Sequence, residues 1–195
     1  NESFGELTEV LVPDFSFEDK LGKRVCGIDE VGRGPLAGPV VAACVYIPDT
    51  LRTQDWISQI KDSKRLSPKK RETLFAYLTK SCPYGISVLA VEDIDRLNIL
   101  NATLKAMTES LLAMPENNTI DHILIDGNKC PRDMPCPATP VVKGDGISTS
   151  IAAASIIAKV TRDKIMADLA QDFPHYGWES NVGYGAKKHI EAIHT

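Results

Sequence analysis

The sequence predicts an α/β fold, one mixed β-sheet flanked by helices. Two observations lead there. Short β-branched runs bounded by Gly, Pro and Asp alternate with longer stretches of helical periodicity. Two strands also follow one another directly at the start, whereas later strands are separated by helices. Adjacent strands pair as an antiparallel meander, and strands joined through a helix add in parallel.

After a polar lead-in, Arg24 to Asp29 reads as the first strand and Pro39 to Ile47 as the second, joined by a glycine-rich bend from Gly32 to Gly38. Ser67 followed by Pro68 is a helix start, with Pro at the first helical position, and this helix should run to about Lys80. Tyr84 to Val91 reads as a third strand, closed by the acidic Glu92, Asp93 and Asp95. Leu97, Leu100, Leu104, Met107, Leu111 and Leu112 recur at helical spacing, so one amphipathic helix is expected from Ile94 to Met114, ended by Pro115. His122 to Ile125 is a short apolar strand running into the turn Asp126-Gly127-Asn128. Thr139 to Lys143 is another strand, and Gly144-Asp145-Gly146 precedes an alanine-rich helix from Ile147 to about Gln171.

With 195 residues and 43% apolar content the chain can fill one core. No repeat, low-complexity tract or linker marks a boundary, so a single domain spanning 1–195 is expected. The first ten residues lack the basic-then-apolar pattern of a secretory signal. The longest apolar stretch, Pro35 to Pro48, is too short to span a bilayer. Five cysteines, Cys26, Cys44, Cys82, Cys130 and Cys136, form no zinc or disulfide spacing and read as reduced thiols of a cytoplasmic protein. The formal net charge of −4 argues against a nucleic-acid partner at first sight. Two divalent cations held by carboxylates would neutralise it. Lys61, Lys64, Arg65, Lys69, Lys70 and Arg71 form a local basic cluster, which is either a solvated helix face or a phosphate-binding surface.

Asp29 and Glu30 close an apolar strand, and Asp126 closes another just before Gly127, where sites of open sheets form. Asp163 continues the apolar face of the last long helix. Oxygen ligands without His or Cys suit a hard cation, Mg²⁺ or Mn²⁺, and magnesium completes its shell with water and phosphate oxygens. Phosphoryl chemistry with two ions about 3.5–4 Å apart is the reading that follows. Core salt bridges are the alternative for these acids. The Gly32-Arg33-Gly34 bend is either a structural turn or a close approach of backbone to ligand, with Arg33 reaching a phosphate. His122, His175, His189 and His194 are read as structural or surface residues, and Trp178, near Tyr184, either as a packing residue or as one that faces substrate.

The run from Gly27 to Ala42 (Gly-Ile-Asp-Glu-Val-Gly-Arg-Gly-Pro-Leu-Ala-Gly-Pro-Val-Val-Ala) resembles the opening motif of the type 2 ribonucleases H, specifically the bacterial ribonuclease HII family. The resemblance continues, in order, through Asp62-Ser63-Lys64-Arg65-Leu66-Ser67, Ile94-Asp95, Asn98-Ile99, Ile125-Asp126-Gly127-Asn128, the run from Lys143 to Asp163, and Gly183-Tyr184-Gly185. It covers residues 24 to about 193.

The resemblance implies a ribonuclease H-like fold with a mixed five-stranded sheet. It implies Asp29, Glu30, Asp126 and Asp163 as catalytic, metal-binding acids, and two Mg²⁺ or Mn²⁺ ions. Gly32, Arg33 and Gly34 match the motif that recognises the ribose 2′-hydroxyl. Tyr184 matches the tyrosine that packs against the sugar beside the cut, and Lys64 would lie along the nucleic-acid backbone. The implied reaction is cleavage 5′ of a ribonucleotide, in RNA/DNA hybrids or at single ribonucleotides in duplex DNA, serving replication and repair; separately from the resemblance, a monomer is expected. Ala186 departs from the family's usual threonine, and the basic C-terminal tail common in relatives does not follow Ile193. No terminal sliding-clamp motif is visible, and the missing N-terminal domain together with the Gly-Arg-Gly sequence disfavours ribonuclease HIII. A non-catalytic nucleic-acid-binding protein and a small-phosphoester hydrolase are the competing functions.

Overall fold

The structure is a computed structural model and describes residues 12–194. Its centre is a five-stranded sheet in the order β3-β2-β1-β4-β5. The strands are β1 (Val25–Val31), β2 (Val40–Tyr46), β3 (Tyr84–Leu89), β4 (His122–Asp126) and β5 (Ala138–Val141). β1, β2 and β3 pair antiparallel, while β4 adds to β1 and β5 to β4 in parallel. The predicted mixed sheet is therefore present, with β1 at the switch between the two pairing modes.

The helices are α1 (Glu18–Leu21), α2 (Pro68–Ser81), α3 (Val91–Leu97), α4 (Ile99–Leu112), α5 (Thr149–Asp172), α6 (Trp178–Asn181) and α7 (Lys187–Ile193). Alternation along β1 and β2 splits the core into two layers. Val41, Ala43 and Val45 meet α5 and α2 on one face. Cys26, Ile28, Val40, Ala42 and Cys44 meet α4 on the other. The alanine run of α5 lets that helix lie close on the sheet. At Gly27 a Cβ would stand 2.1 Å from the carbonyl carbon of Ser150, so only glycine fits beneath the helix.

Two local features differ from expectation. The single amphipathic helix over Ile94 to Met114 is two helices, α3 and α4, because Asn98 adopts φ 63°. Its side chain caps α4 by accepting from the Asn101 N–H at 3.1 Å. The polar lead-in also carries a buried residue. Glu18 accepts from the Ser148 hydroxyl at 2.7 Å and from the Ser150 N–H at 3.0 Å, which anchors the first turn of α5. All five cysteines are free thiols. Among the described residues no helix is long and apolar enough to cross a membrane.

Candidate active site

Parallel pairing of β1 with β4 sets the site. The last paired residues are Ile28 and Ile125, so the next residues, Asp29 and Asp126, stand side by side at the carboxyl ends of neighbouring strands, about 5 Å apart in backbone spacing. Asp126 is held from the far side. The turn after β5 aims two amides at its Oδ1, from Gly144 at 2.7 Å and from Asp145 at 3.4 Å. That grip carries the Asp145 side chain to the same place.

A cavity of about 240 Å³ opens there, lined by Asp29, Glu30, Asp126 and Asp145 and closed by Lys64, Lys159 and Tyr184. Asp29 reaches it from the α5 face of β1 and Glu30 from the α4 face, as alternation requires. The cavity lies off the strand end and receives both. Burial pushes the Asp29 carboxyl well above its ordinary value, and the charges of Glu30, Asp126 and Asp145 add to the effect. Burial likewise raises Glu30, opposed by Arg33, whose Nη1 stands 3.3 Å from Glu30 Oε1. Asp145 is pushed up to about 6, first by burial and then by Asp62 and Asp126, with Lys64 pulling the other way. For Lys64, burial disfavours the ammonium, but Asp145, Asp62 and Asp29 outweigh it and the amine is raised. Lys64 sits here because the Asp62 carboxylate caps its short turn at the Lys64 N–H, 2.9 Å away, and Arg71 donates to the Ser63 and Leu66 carbonyls.

These residues fit a hard divalent cation. The donors are carboxylate oxygens, and Glu30 Oε2 is buried with no hydrogen-bond partner among the described residues. Among those residues no three His, Cys, Asp or Glu side chains converge closely enough to enclose an ion by themselves. Magnesium takes one or two carboxylates and fills its shell with water and substrate oxygens.

Asp163 does not line this cavity. Its carboxylate accepts from Lys159 Nζ at 2.8 Å and borders a separate groove with Pro68, Arg71 and Lys164. Ser155 and Lys159 line the cavity from one stripe of α5, and Asp163 follows on the same stripe one turn, about 6 Å, beyond Lys159. The fourth carboxylate facing it is Asp145. Sequence reading passed over Asp145 because Gly-Asp-Gly resembled a plain lead-in to α5. Its signal was its place after β5, the parallel neighbour of β4.

The glycine-rich bend forms the rim. Gly32 has φ 110°, and a Cβ on it would stand 2.4 Å from the Pro39 carbonyl oxygen, so the loop closes on itself only with glycine. Arg33 is half exposed, and Gly34 lies against Tyr184, whose Cε1 is 3.5 Å from where a Cβ would be. Loop and tyrosine are tied together. The Leu36 N–H donates to the Gly183 carbonyl at 2.8 Å. Arg162, with no exposed surface, donates to the carbonyls of Pro39 at 2.9 Å, Ala37 at 2.9 Å and Val182 at 2.7 Å. Its place beside Asp163 in sequence gave no sign of this role.

The family model for ribonuclease HII matches residues 26–195. The chain belongs to the ribonuclease HII family. Membership makes it a nuclease of the ribonuclease H class. Ribonuclease HII of Paramagnetospirillum magneticum is 48% identical over 182 residues, covering 93% of this chain and 89% of the relative. The Magnetococcus marinus protein is 50% identical over 88% of this chain and 78% of its own length. Among solved structures, ribonuclease H2 of Pyrococcus horikoshii superposes with a TM-score of 0.73 at 26% identity, covering 87% of this chain and 84% of the other. Ribonuclease HII of Archaeoglobus fulgidus, solved in complex with PCNA, gives 0.69 at 26% identity over 88% and 87% of the two chains. These neighbours share the ribonuclease H-like fold.

Proposed function

We propose that this protein hydrolyses the phosphodiester on the 5′ side of a ribonucleotide, in RNA/DNA hybrids and at single ribonucleotides embedded in duplex DNA. Water adds to phosphorus, the bond to the preceding O3′ breaks, and the ends left are a 3′-hydroxyl and a 5′-phosphate. The observation that carries the reading is the gathering of Asp29, Glu30, Asp126 and Asp145 at the ends of β1 and β4, beside the Gly32–Gly34 rim. Carboxylates placed for core salt bridges would each face a base. Here the four share one cavity, and among the described residues only Glu30 of the four has an ion pair.

Asp29, Glu30, Asp126 and Asp145 would hold two Mg²⁺ or Mn²⁺ ions, which supply neutralisation of the developing charge and lower the pKa of water. The backbone of Gly32 and Gly34 meets the 2′-hydroxyl, the group that distinguishes RNA from DNA. Arg33 reaches the adjacent phosphate. Tyr184 packs its ring on the sugar beside the cut, and Lys64, kept protonated by its acidic neighbours, holds a backbone phosphate. The reading extends to one catalytic domain working as a cytoplasmic monomer in ribonucleotide removal during DNA replication and repair.

A labelled DNA duplex containing one ribonucleotide tests this, incubated with the protein in Mg²⁺, in Mn²⁺ and in chelator. The expected product is a metal-dependent nick 5′ of the ribonucleotide. A retarded but uncut duplex would favour a binding protein, and turnover of small phosphoesters alone would favour a simple phosphatase.

A further inference from the structure

Tyr184 sits on a turn with two consecutive residues at positive φ. Val182 is in the left-handed region at φ 45° and ψ 34°, where a β-branched residue is strained, and Gly183 follows with φ 88°. Strain of this kind persists only where surrounding contacts over-determine the backbone. Arg162 supplies one such contact at the Val182 carbonyl. Another comes from His189 on α7, which is 1% exposed and lies 2.8 Å, through Nδ1, from the Tyr184 carbonyl oxygen, which also accepts from the Ala186 N–H at 2.8 Å.

The imidazole has a partner on each nitrogen. The Trp178 indole N–H stands 3.2 Å from His189 Nε2. An indole nitrogen only donates, so Nε2 accepts, and the proton of the neutral ring is on Nδ1. A carbonyl oxygen only accepts, so the Nδ1–H donates to Tyr184. Trp178 therefore selects the tautomer that His189 needs in order to hold the tyrosine's backbone. The indole is fixed in turn, stacked on Tyr176 at a centroid distance of 5.0 Å and tilted against Phe173 at 5.6 Å.

We propose that His189, set in its Nδ1–H tautomer by Trp178, is a positioning residue that aims Tyr184 at the sugar beside the cut and thereby sets preference for an RNA–DNA junction. This rests on the role of Tyr184 proposed above. His189 touches no reacting atom. It works by fixing the carbonyl of the residue whose ring meets Gly34 at the cavity rim.

The test compares kcat and KM for a duplex with one ribonucleotide against a duplex with a continuous RNA strand, for the wild type, His189→Asn, His189→Gln, Trp178→Phe and Tyr184→Leu. An Asn amide can place its N–H where Nδ1–H lies, whereas Gln places its own near Nε2. His189→Asn should keep the wild-type preference, and His189→Gln should lower it about tenfold, mainly through the junction substrate. Trp178→Phe keeps the ring stack but frees the tautomer, and should lower the preference in the same direction. Equal preference in His189→Asn and His189→Gln would overturn the proposal if Tyr184→Leu still loses it. If Tyr184→Leu keeps the preference, the role of Tyr184 itself fails. Nitrogen-15 NMR of histidine-labelled wild type provides a check that no folding defect can obscure. A protonated Nδ1 beside a bare Nε2 is expected, and the opposite tautomer would overturn the proposal.

Discussion

Replacing Asp145 with Asn should make the metal-free protein more stable while destroying its activity. The folded site raises Asp145 from 3.8 to about 6, first through burial and then through Asp62 and Asp126. At about 1.36 kcal/mol per pKa unit, the ionised carboxylate costs the fold up to about 3 kcal/mol near neutral pH. Asp145 is only partly buried, so solvent screening brings this to roughly 1 kcal/mol. For a chain of this length, that is about 2–4 °C in melting temperature. The sign follows from linkage. A carboxyl raised in the folded state binds protons more tightly there than in the unfolded chain, so its unfavourable contribution grows as pH rises from about 4 to about 6. The assay is scanning calorimetry in chelator. Asp145→Asn should melt higher than the wild type at pH 7.5, with roughly half that gap at pH 5, and the gap should close or reverse in Mg²⁺. A lower melting temperature in chelator, or a gap that ignores pH, would refute the picture of mutually repelling acids.

Three further outcomes follow from the packing and the site. Gly27→Ala should destabilise the protein by about 3 kcal/mol or more, read by urea denaturation, because its Cβ would meet α5 backbone that cannot swing aside; a loss under about 1 kcal/mol would contradict the close approach. Arg162→Met should cost about 3–5 kcal/mol, since the carbonyls of Ala37, Pro39 and Val182 lose their donor together; an unchanged denaturation midpoint would mean the glycine loop holds itself. Magnesium at a hundredfold excess over its dissociation constant should stabilise the wild type by about 2.7 kcal/mol in the same scans, and should stabilise Asp29→Asn much less; equal gains would place the ion elsewhere.

Much of the site was legible because it is written in strand ends. Asp29 and Asp126 each follow an apolar run and precede a turn, and parallel pairing of those runs is enough to bring them together. The helix start at Ser67-Pro68 was legible for a similar local reason, and the Ser67 hydroxyl does cap the Lys70 N–H, at 3.3 Å. What escaped depends on contacts distant in sequence. Leu97, Leu100 and Leu104 keep helical spacing straight through the break at Asn98, so periodicity could not reveal it. Asp163 lies on the stripe of α5 that lines the cavity but one turn beyond Lys159, a placement that needs the position of the cavity along the helix. Arg162 and His189 act on carbonyls, and no side-chain pattern advertises a carbonyl that needs a donor.

The most direct test of the account sets Asp145→Asn against Asp163→Asn in single-turnover cleavage of a duplex holding one ribonucleotide, in Mg²⁺. A carboxylate at the reacting phosphate contributes on the order of a hundredfold to a thousandfold in rate, so Asp145→Asn should fall by at least that much. Asp163→Asn, which breaks only the pair with Lys159, should stay within about tenfold of the wild type. The reverse ranking would contradict the assignment and return the fourth acid to α5.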